Sequence, residues 1–299
     1  MSATTMGDTA ALPFQQALAR AQDMSQARIA AALAGLDGDV AQAMLYAVEG
    51  GKGLRAFLVM ESARLFGIPR DVSATPAAAI EAMHAYSLVH DDLPCMDDDD
   101  LRRGKPTVHR KWNETTAVLA GDALQTLAFQ LAAETDCSAQ QRVGLVSRLA
   151  GCSGIRVGMV AGQEMDIAAE TANAPLTLAQ ITALQRAKTG ALIVWSATAG
   201  AVMAGEALEP FVVYGDNIGL AFQIADDILD VEGDAATVGK AVGKDADAGK
   251  ATFVSLLGLD EAKNRAAQLV EDACDALSPY GDDAETLKQA ARFVISRSS

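Results

Sequence analysis

The chain has 299 residues, 39 of them acidic and 24 basic, for a formal net charge of −15. A chain of this length buries roughly three quarters of its unfolded surface, so it can build a core without disulfide staples. The acidic balance excludes nucleic acid and anionic membrane surfaces as natural partners, and an anionic substrate would need cations to hold it.

The four cysteines, Cys95, Cys137, Cys152 and Cys274, form no CxxC pair and fit a reducing cytoplasm. Asp8 precedes any long apolar run and no basic segment leads into one, so no secretory signal is expected. Sixty alanines, only 8 prolines and few alternating β-branched stretches point to an all-α fold. Apolar residues at i, i+3, i+4 spacing predict helices over residues 10–36, 40–49, 57–66, 77–90, 115–133, 140–168, 178–205, 212–230, 248–257, 260–277 and 282–296. The connectors are short and none has the length of an interdomain linker, so one domain is expected over residues 1–299. The longest uncharged stretch, residues 189–205, is 17 residues long and contains Gly190, Ser196, Thr198 and Gly200. It is short and polar for a bilayer span and reads as a buried helix.

Chemistry-bearing residues begin at Gly50-Gly51-Lys52-Gly53-Leu54-Arg55, which opens an apolar helix. Free backbone N–H groups and two cations at a helix start make a phosphate site, although an ordinary N-terminal turn has the same composition. Next comes an acidic run after an apolar helix, His90-Asp91-Asp92-Leu93-Pro94-Cys95-Met96-Asp97-Asp98-Asp99-Asp100, closed by Leu101-Arg102-Arg103-Gly104-Lys105-Pro106. Six carboxylates in ten residues repel one another unless water or a metal intervenes. A solvated acidic loop is one reading; the apolar helix before it and the paired arginines after it favour the other, a set of hard oxygen ligands suited to Mg²⁺. The DxDxDG spacing of a calcium loop is absent.

Lys188-Thr189-Gly190 places a charge inside the apolar segment 178–205, either as a kink whose lysine reaches solvent or as a functional group. A second acidic cluster, Gln223-Ile224-Ala225-Asp226-Asp227-Ile228-Leu229-Asp230, sits on an apolar helix with Asp226 and Asp230 one turn apart on one face. The two acidic helix ends are expected to face each other across a cavity. Residues 233–250 carry Gly239-Lys240, Gly243-Lys244 and Gly249-Lys250 without matching GxxxxGK[ST], and read as a glycine-hinged basic flap. His84 lies among Ala82, Met83 and Ala85, where it would pass for a core histidine. No HExxH, GxSxG or GxGxxG pattern competes with these motifs.

Taken together and in order, Gly-Gly-Lys52-x-Leu-Arg55, His84-x-Tyr86 leading into Asp91-Asp92-x-x-x-x-Asp97, Arg102-Arg103-Gly104-Lys105-Pro106-Thr107, Lys188-Thr189-Gly190, Gln223-x-x-Asp226-Asp227-x-x-Asp230 and the lysine-glycine flap resemble the trans-prenyl diphosphate synthases, and among them the bacterial farnesyl diphosphate group. The resemblance runs from about Gly50 to Lys250. It implies an all-α bundle around a deep central cavity, working as a homodimer with Mg²⁺, three ions per active site. It implies head-to-tail condensation of isopentenyl diphosphate with dimethylallyl or geranyl diphosphate to farnesyl diphosphate. Asp91, Asp97 and Asp226 would hold the metal, with Asp92, Asp227 and Asp230 in support. Arg102, Lys188 and Lys240 would bind the allylic diphosphate, with Thr189 and Gln223 beside its reacting carbon and Lys188, Thr189 and Gln223 as the catalytic set. Lys52, Arg55, His84 and Arg103 would hold isopentenyl diphosphate. Tyr86, five residues before Asp91, would form a floor limiting product length, and Pro94-Cys95 would bulge from the helix to return Asp97 to the face of Asp91.

Two positions depart from the family pattern: Gly53 stands where a basic residue is usual and Ala56 where proline is usual. A geranylgeranyl product is the alternative chain length. Two other classes are weaker: a terpene cyclase should carry an Asn/Asp-x-x-Ser/Thr-x-x-x-Glu second motif, and a non-catalytic acidic metal binder would have no use for Lys52, Arg55, Lys188 and Lys240 together.

Overall fold

A computed structural model describes residues 8–172, 174–232 and 251–296. The chain forms two compact units: residues up to Val146 with Ala199–Glu206, and Ser147–Thr198 with the residues from Ala207 onward. The expected helical class is what forms; among the described residues the only strands are a two-residue antiparallel pair.

The first unit is built from α1 (Phe14–Ala32), α2 (Asp39–Val48), α3 (Leu54–Arg64), α4 (Arg70–Asp91), the hairpin β1 (Leu101–Arg102) and β2 (Lys105–Pro106), α5 (Val108–Lys111), α6 (Glu114–Glu134) and the start of α7 (Ala139–Ser153). Helix α4 is its centre and packs on α1, α3 and α6. The alanines at 74, 77, 78, 79, 82 and 85 explain how: small side chains around the circumference let neighbours approach from several sides, and all six are buried. Local signals start this helix at residue 77, just past Pro76, but it begins seven residues earlier. The missing N–H of Pro76 removes one rung, and tertiary contacts carry the helix across it. Buried Arg70 in the first turn donates to the Asp8 carboxylate at 2.7 Å and to the Ala10 carbonyl at 2.6 Å, and Arg28 donates to Thr75 at 3.2 Å. Glu61 of α3 completes this buried ionic group, accepting from Arg64 at 2.7 Å and lying 3.7 Å from Arg70.

The second unit holds the end of α7, α8 (Met159–Glu170), α9 (Leu178–Gln185), a π-turn (Arg186–Gly190), the start of α10 (Ala191–Ala204), α11 (Glu209–Glu232), α12 (Phe253–Leu257), α13 (Leu259–Ala276), a 3₁₀ segment (Ser278–Ala284) and α14 (Glu285–Ser296). The single helix expected over 140–168 is two, α7 and α8, because Gly154 and Gly158 interrupt the periodic pattern. The expected helix 178–205 is continuous except that its lysine-glycine step forms the π-turn. Residues 178–204 are the one described stretch long and apolar enough to cross a bilayer, and 67% of the most apolar window is buried inside the protein. Buried Tyr214 ties α11 to α14 by donating to the Leu287 carbonyl at 2.7 Å.

Candidate active site

In the first unit, Gly53 caps α3 in the left-handed conformation, at φ +66°. A Cβ there would sit 2.8 Å from Cβ of Gln22 on α1, so the family departure at this position matches the backbone it must adopt. Lys52, just before this cap, is exposed, and Arg55 in the first turn of α3 is half-buried. Arg55 Nε is buried with no hydrogen-bond partner, a cost normally met by a ligand or water. Burial lowers the affinity of this guanidinium for its proton; Glu81 of α4 opposes that shift and Arg103 adds to it.

His84, one turn beyond Glu81 on the same face of α4, is held well below its ordinary value by burial first and then by Arg55, Arg103 and Arg102. It is therefore neutral near pH 7. Three arginines from two segments thus act electrostatically on one histidine, in a chain whose net charge is −15.

The acidic run begins where α4 ends, and the six carboxylates divide. Asp92 is buried and accepts from Arg102 through Nε at 2.9 Å and through NH2. Burial raises the Asp92 carboxyl from its ordinary value, with the Arg102 hydrogen bond acting against the rise. Asp99 lies 3.4 Å from Arg102, and Asp100 pairs with Arg110 at 2.8 Å. Asp97 is returned toward Asp91, but by a different route from the expected bulge. The helix stops at Asp91, and the Asp97 amide donates to the Asp91 carbonyl at 2.8 Å across a loop. The described non-glycine residues with positive φ are both in this segment, Asp98 at +51° and Arg103 at +53°. Strain of that kind persists where surrounding contacts over-determine the chain. Arg103, at the hairpin turn, donates to the Glu49 carbonyl at 3.1 Å and lies against Gly51, where a Cβ would come within 3.2 Å of its NH1.

Tyr86 is buried, edge-on to the His90 ring at 5.6 Å between centroids; burial raises its hydroxyl from the ordinary value, and the Gln125 side chain of α6 acts against the rise. His90 can lie there because position 121 of α6 is glycine; a Cβ would overlap the imidazole. His90 Nε2 is 3.1 Å from the Val118 carbonyl.

In the second unit, Lys188 sits in the π-turn with its Nζ 2.6 Å from Asp166 of α8. Gly162, one turn before Asp166, makes this possible, since a Cβ there would overlap the Lys188 backbone. Thr189 follows in the same turn. Gln223, Asp226, Asp227 and Asp230 lie on α11, and Asp227 accepts the Phe253 amide at 2.7 Å, which anchors the start of α12. Lys240 and the rest of the flap, residues 233–250, lie outside the described residues.

Two participants escaped the sequence reading. Asp166 is signalled only by its i+4 spacing from Gly162, and Glu81 only by its i−3 spacing from His84.

The comparisons with known proteins fit this arrangement. The Polyprenyl synthetase family pattern matches residues 38–292, crossing both units. The chain is 46% identical over 269 residues to farnesyl diphosphate synthase of Escherichia coli K12, covering 86% of this chain and 89% of that one. Among solved structures it is similar to an FPP/GFPP synthase from Zymomonas mobilis in its apo form, with TM-score 0.86, 42% identity and coverage of 94% and 98%. A geranylgeranyl pyrophosphate synthetase from Pyrococcus horikoshii follows at TM-score 0.85 and 28% identity, with the same coverage. A family pattern spanning most of the chain, relatives alike over nearly their whole length, and aspartate motifs at the end of α4 and within α11 leave one assignment: this chain belongs to the polyprenyl synthetase family.

Proposed function

We propose that the chain, acting as one domain over its whole length, condenses isopentenyl diphosphate with dimethylallyl and then geranyl diphosphate to give farnesyl diphosphate and diphosphate. The observation that carries the reading is the set of cations in the first unit: Arg55 with its buried Nε unpartnered, Arg103 against Gly51 just before α3, and Arg102 oriented by Asp92, all three acting on His84. Cations held near one another in this way fit a polyanion. Lys52, Arg55, His84 and Arg103 bind isopentenyl diphosphate, His84 by donating a hydrogen bond without adding charge. Arg102, oriented by Asp92, joins Lys188 and Lys240 on the allylic diphosphate. Lys188 carries its own counter-ion, Asp166, until the substrate arrives. Thr189 and Gln223 line the reacting allylic carbon.

No group of three or more metal-binding side chains is clustered among the described residues. The donor set suits instead the Mg²⁺ mode in which one or two carboxylates per ion are completed by water and substrate phosphate oxygens. Asp91, Asp97 and Asp226 would hold three ions in this way. Bound there, Mg²⁺ neutralises the charge that develops on the leaving diphosphate. The allylic C–O bond breaks, the double bond of isopentenyl diphosphate supplies the electron pair of the new C–C bond, and the proton released goes to the departing diphosphate.

The four cysteines are free thiols in the structure, which supports a reducing cytoplasmic setting, and we infer a homodimer there. Incubating the protein with Mg²⁺, dimethylallyl diphosphate and isopentenyl diphosphate, then chromatographing the dephosphorylated products, tests the reading. A C15 alcohol that disappears with EDTA and returns with Mg²⁺ is expected. Turnover that persists in excess chelator would refute the metal assignment, and no isoprenoid product would refute the activity.

A further inference from the structure

Helix α3 begins without a capping side chain, because its N-cap is Gly53. The first amides of a helix have no intrahelical acceptor and need one from elsewhere. Here the need of Ala56, third residue of the helix, is met from α4: its N–H donates to Glu81 Oε1 at 3.0 Å. This donor exists because residue 56 is alanine rather than the proline usual in the family, which would have no N–H to give.

The same carboxylate is the acid that both Arg55 and Arg103 sense, opposing the effect of burial on each guanidinium. Glu81 is therefore linked to the turn that carries Arg55 by a hydrogen bond and to two of the arginines by charge. Its position one turn before His84 puts it on the histidine's face of the helix.

We propose that Glu81 is a positioning residue for isopentenyl diphosphate, holding the first turn of α3 through the Ala56 amide and so setting where Arg55 presents its guanidinium group. The inference rests on the site reading above, in which Arg55 binds that substrate. It makes a prediction of definite sign. A carboxylate that merely sat near the cations would repel a diphosphate, and removing it would tighten binding. A carboxylate that positions them does the opposite, and its removal loosens binding.

The test is steady-state kinetics on Glu81→Gln and Ala56→Pro, each substrate varied with the other saturating, alongside calorimetric binding of isopentenyl diphosphate to the protein without Mg²⁺. Proline in the first turn of a helix is tolerated, so Ala56→Pro keeps the test alive if the Glu81 variant folds poorly. The expected result is a rise in KM for isopentenyl diphosphate of roughly tenfold in each variant, the size of one charge-assisted hydrogen bond. The calorimetric Kd should weaken in parallel, while kcat and the allylic KM stay within about twofold. An unchanged or lowered KM for isopentenyl diphosphate in both variants would overturn the proposal, as would an equal rise for the two substrates. Arg55→Ala separates the two layers of the argument. If it leaves the isopentenyl diphosphate KM unmoved, the site reading has failed; if it raises that KM while Glu81→Gln and Ala56→Pro do not, only the role of Glu81 falls.

Discussion

The two units set their cations into an acidic chain in opposite ways. In the first, three arginines act on one neutral histidine, and the acids that balance them, Asp92 and Glu81, are buried and half-buried. In the second, a single lysine on a π-turn meets a single aspartate at 2.6 Å. The acidic motifs differ as well. The first lies in a loop past the end of α4 and spends Asp92, Asp99 and Asp100 on its own arginines. The second lies within α11 and spends Asp227 on a backbone amide. In each motif some carboxylates are structural, and counting acids in the sequence overstates how many are ligands.

That division can be broken most severely at the proposed ligands. Asp91→Ala and Asp226→Ala should each lower kcat by roughly 10²- to 10³-fold, as loss of a group stabilising transition-state charge does, with little change in helicity by circular dichroism. Near-parental turnover in either variant would remove that residue from the metal set.

Tyr86→Ala should come next, shifting the product from C15 towards C20 by removing the ring from the proposed floor. The cavity should cost about 2–4 kcal/mol of stability, because Tyr86 is buried and packs edge-on against His90. An unchanged product distribution in the chromatogram would move the floor elsewhere and leave Tyr86 as core.

Asp92→Ala sharpens the contrast between ligand and structural acids. It strands Arg102 without its buried partner, so denaturant unfolding should show a loss of about 1–3 kcal/mol. Stability equal to the parent's would mean that Asp92 is not a structural acid.

The smallest effect is the pH dependence contributed by His84. Its pKa in the folded protein lies well below the ordinary 6.5. The unfolded chain therefore binds the extra proton first as pH falls, and stability declines between pH 6.5 and the lower folded value while being unaffected above 6.5. Thermal midpoints in His84→Gln should fall less between pH 7 and 5 than in the parent, and parallel curves would show that His84 is not the depressed group.

The helical class and most helix positions were legible from alanine content and apolar periodicity, because burial of a helical stripe is a local pattern. The ordered motifs Lys52 to Arg55, Asp91 to Asp97, Lys188 to Gly190 and Asp226 to Asp230 were legible too, since each is contiguous in sequence, and in the last the helical period alone tells which side chains share a face. What depended on distant partners was not. Pro76 should have marked a helix start, but buried Arg70, tied to Asp8 and Ala10, extended α4 across it. Gly154 and Gly158 ended a helix that periodicity ran through. The loop that folds the Asp97 amide back to the Asp91 carbonyl replaced the expected bulge. Asp166 and Glu81 had no motif of their own; each acquires meaning from a cation or an amide brought to it from at least 22 residues away in sequence. Periodicity along one helix sorts its faces, but which charge meets which is decided by the packing of one helix on another, through distances that sequence separation does not encode.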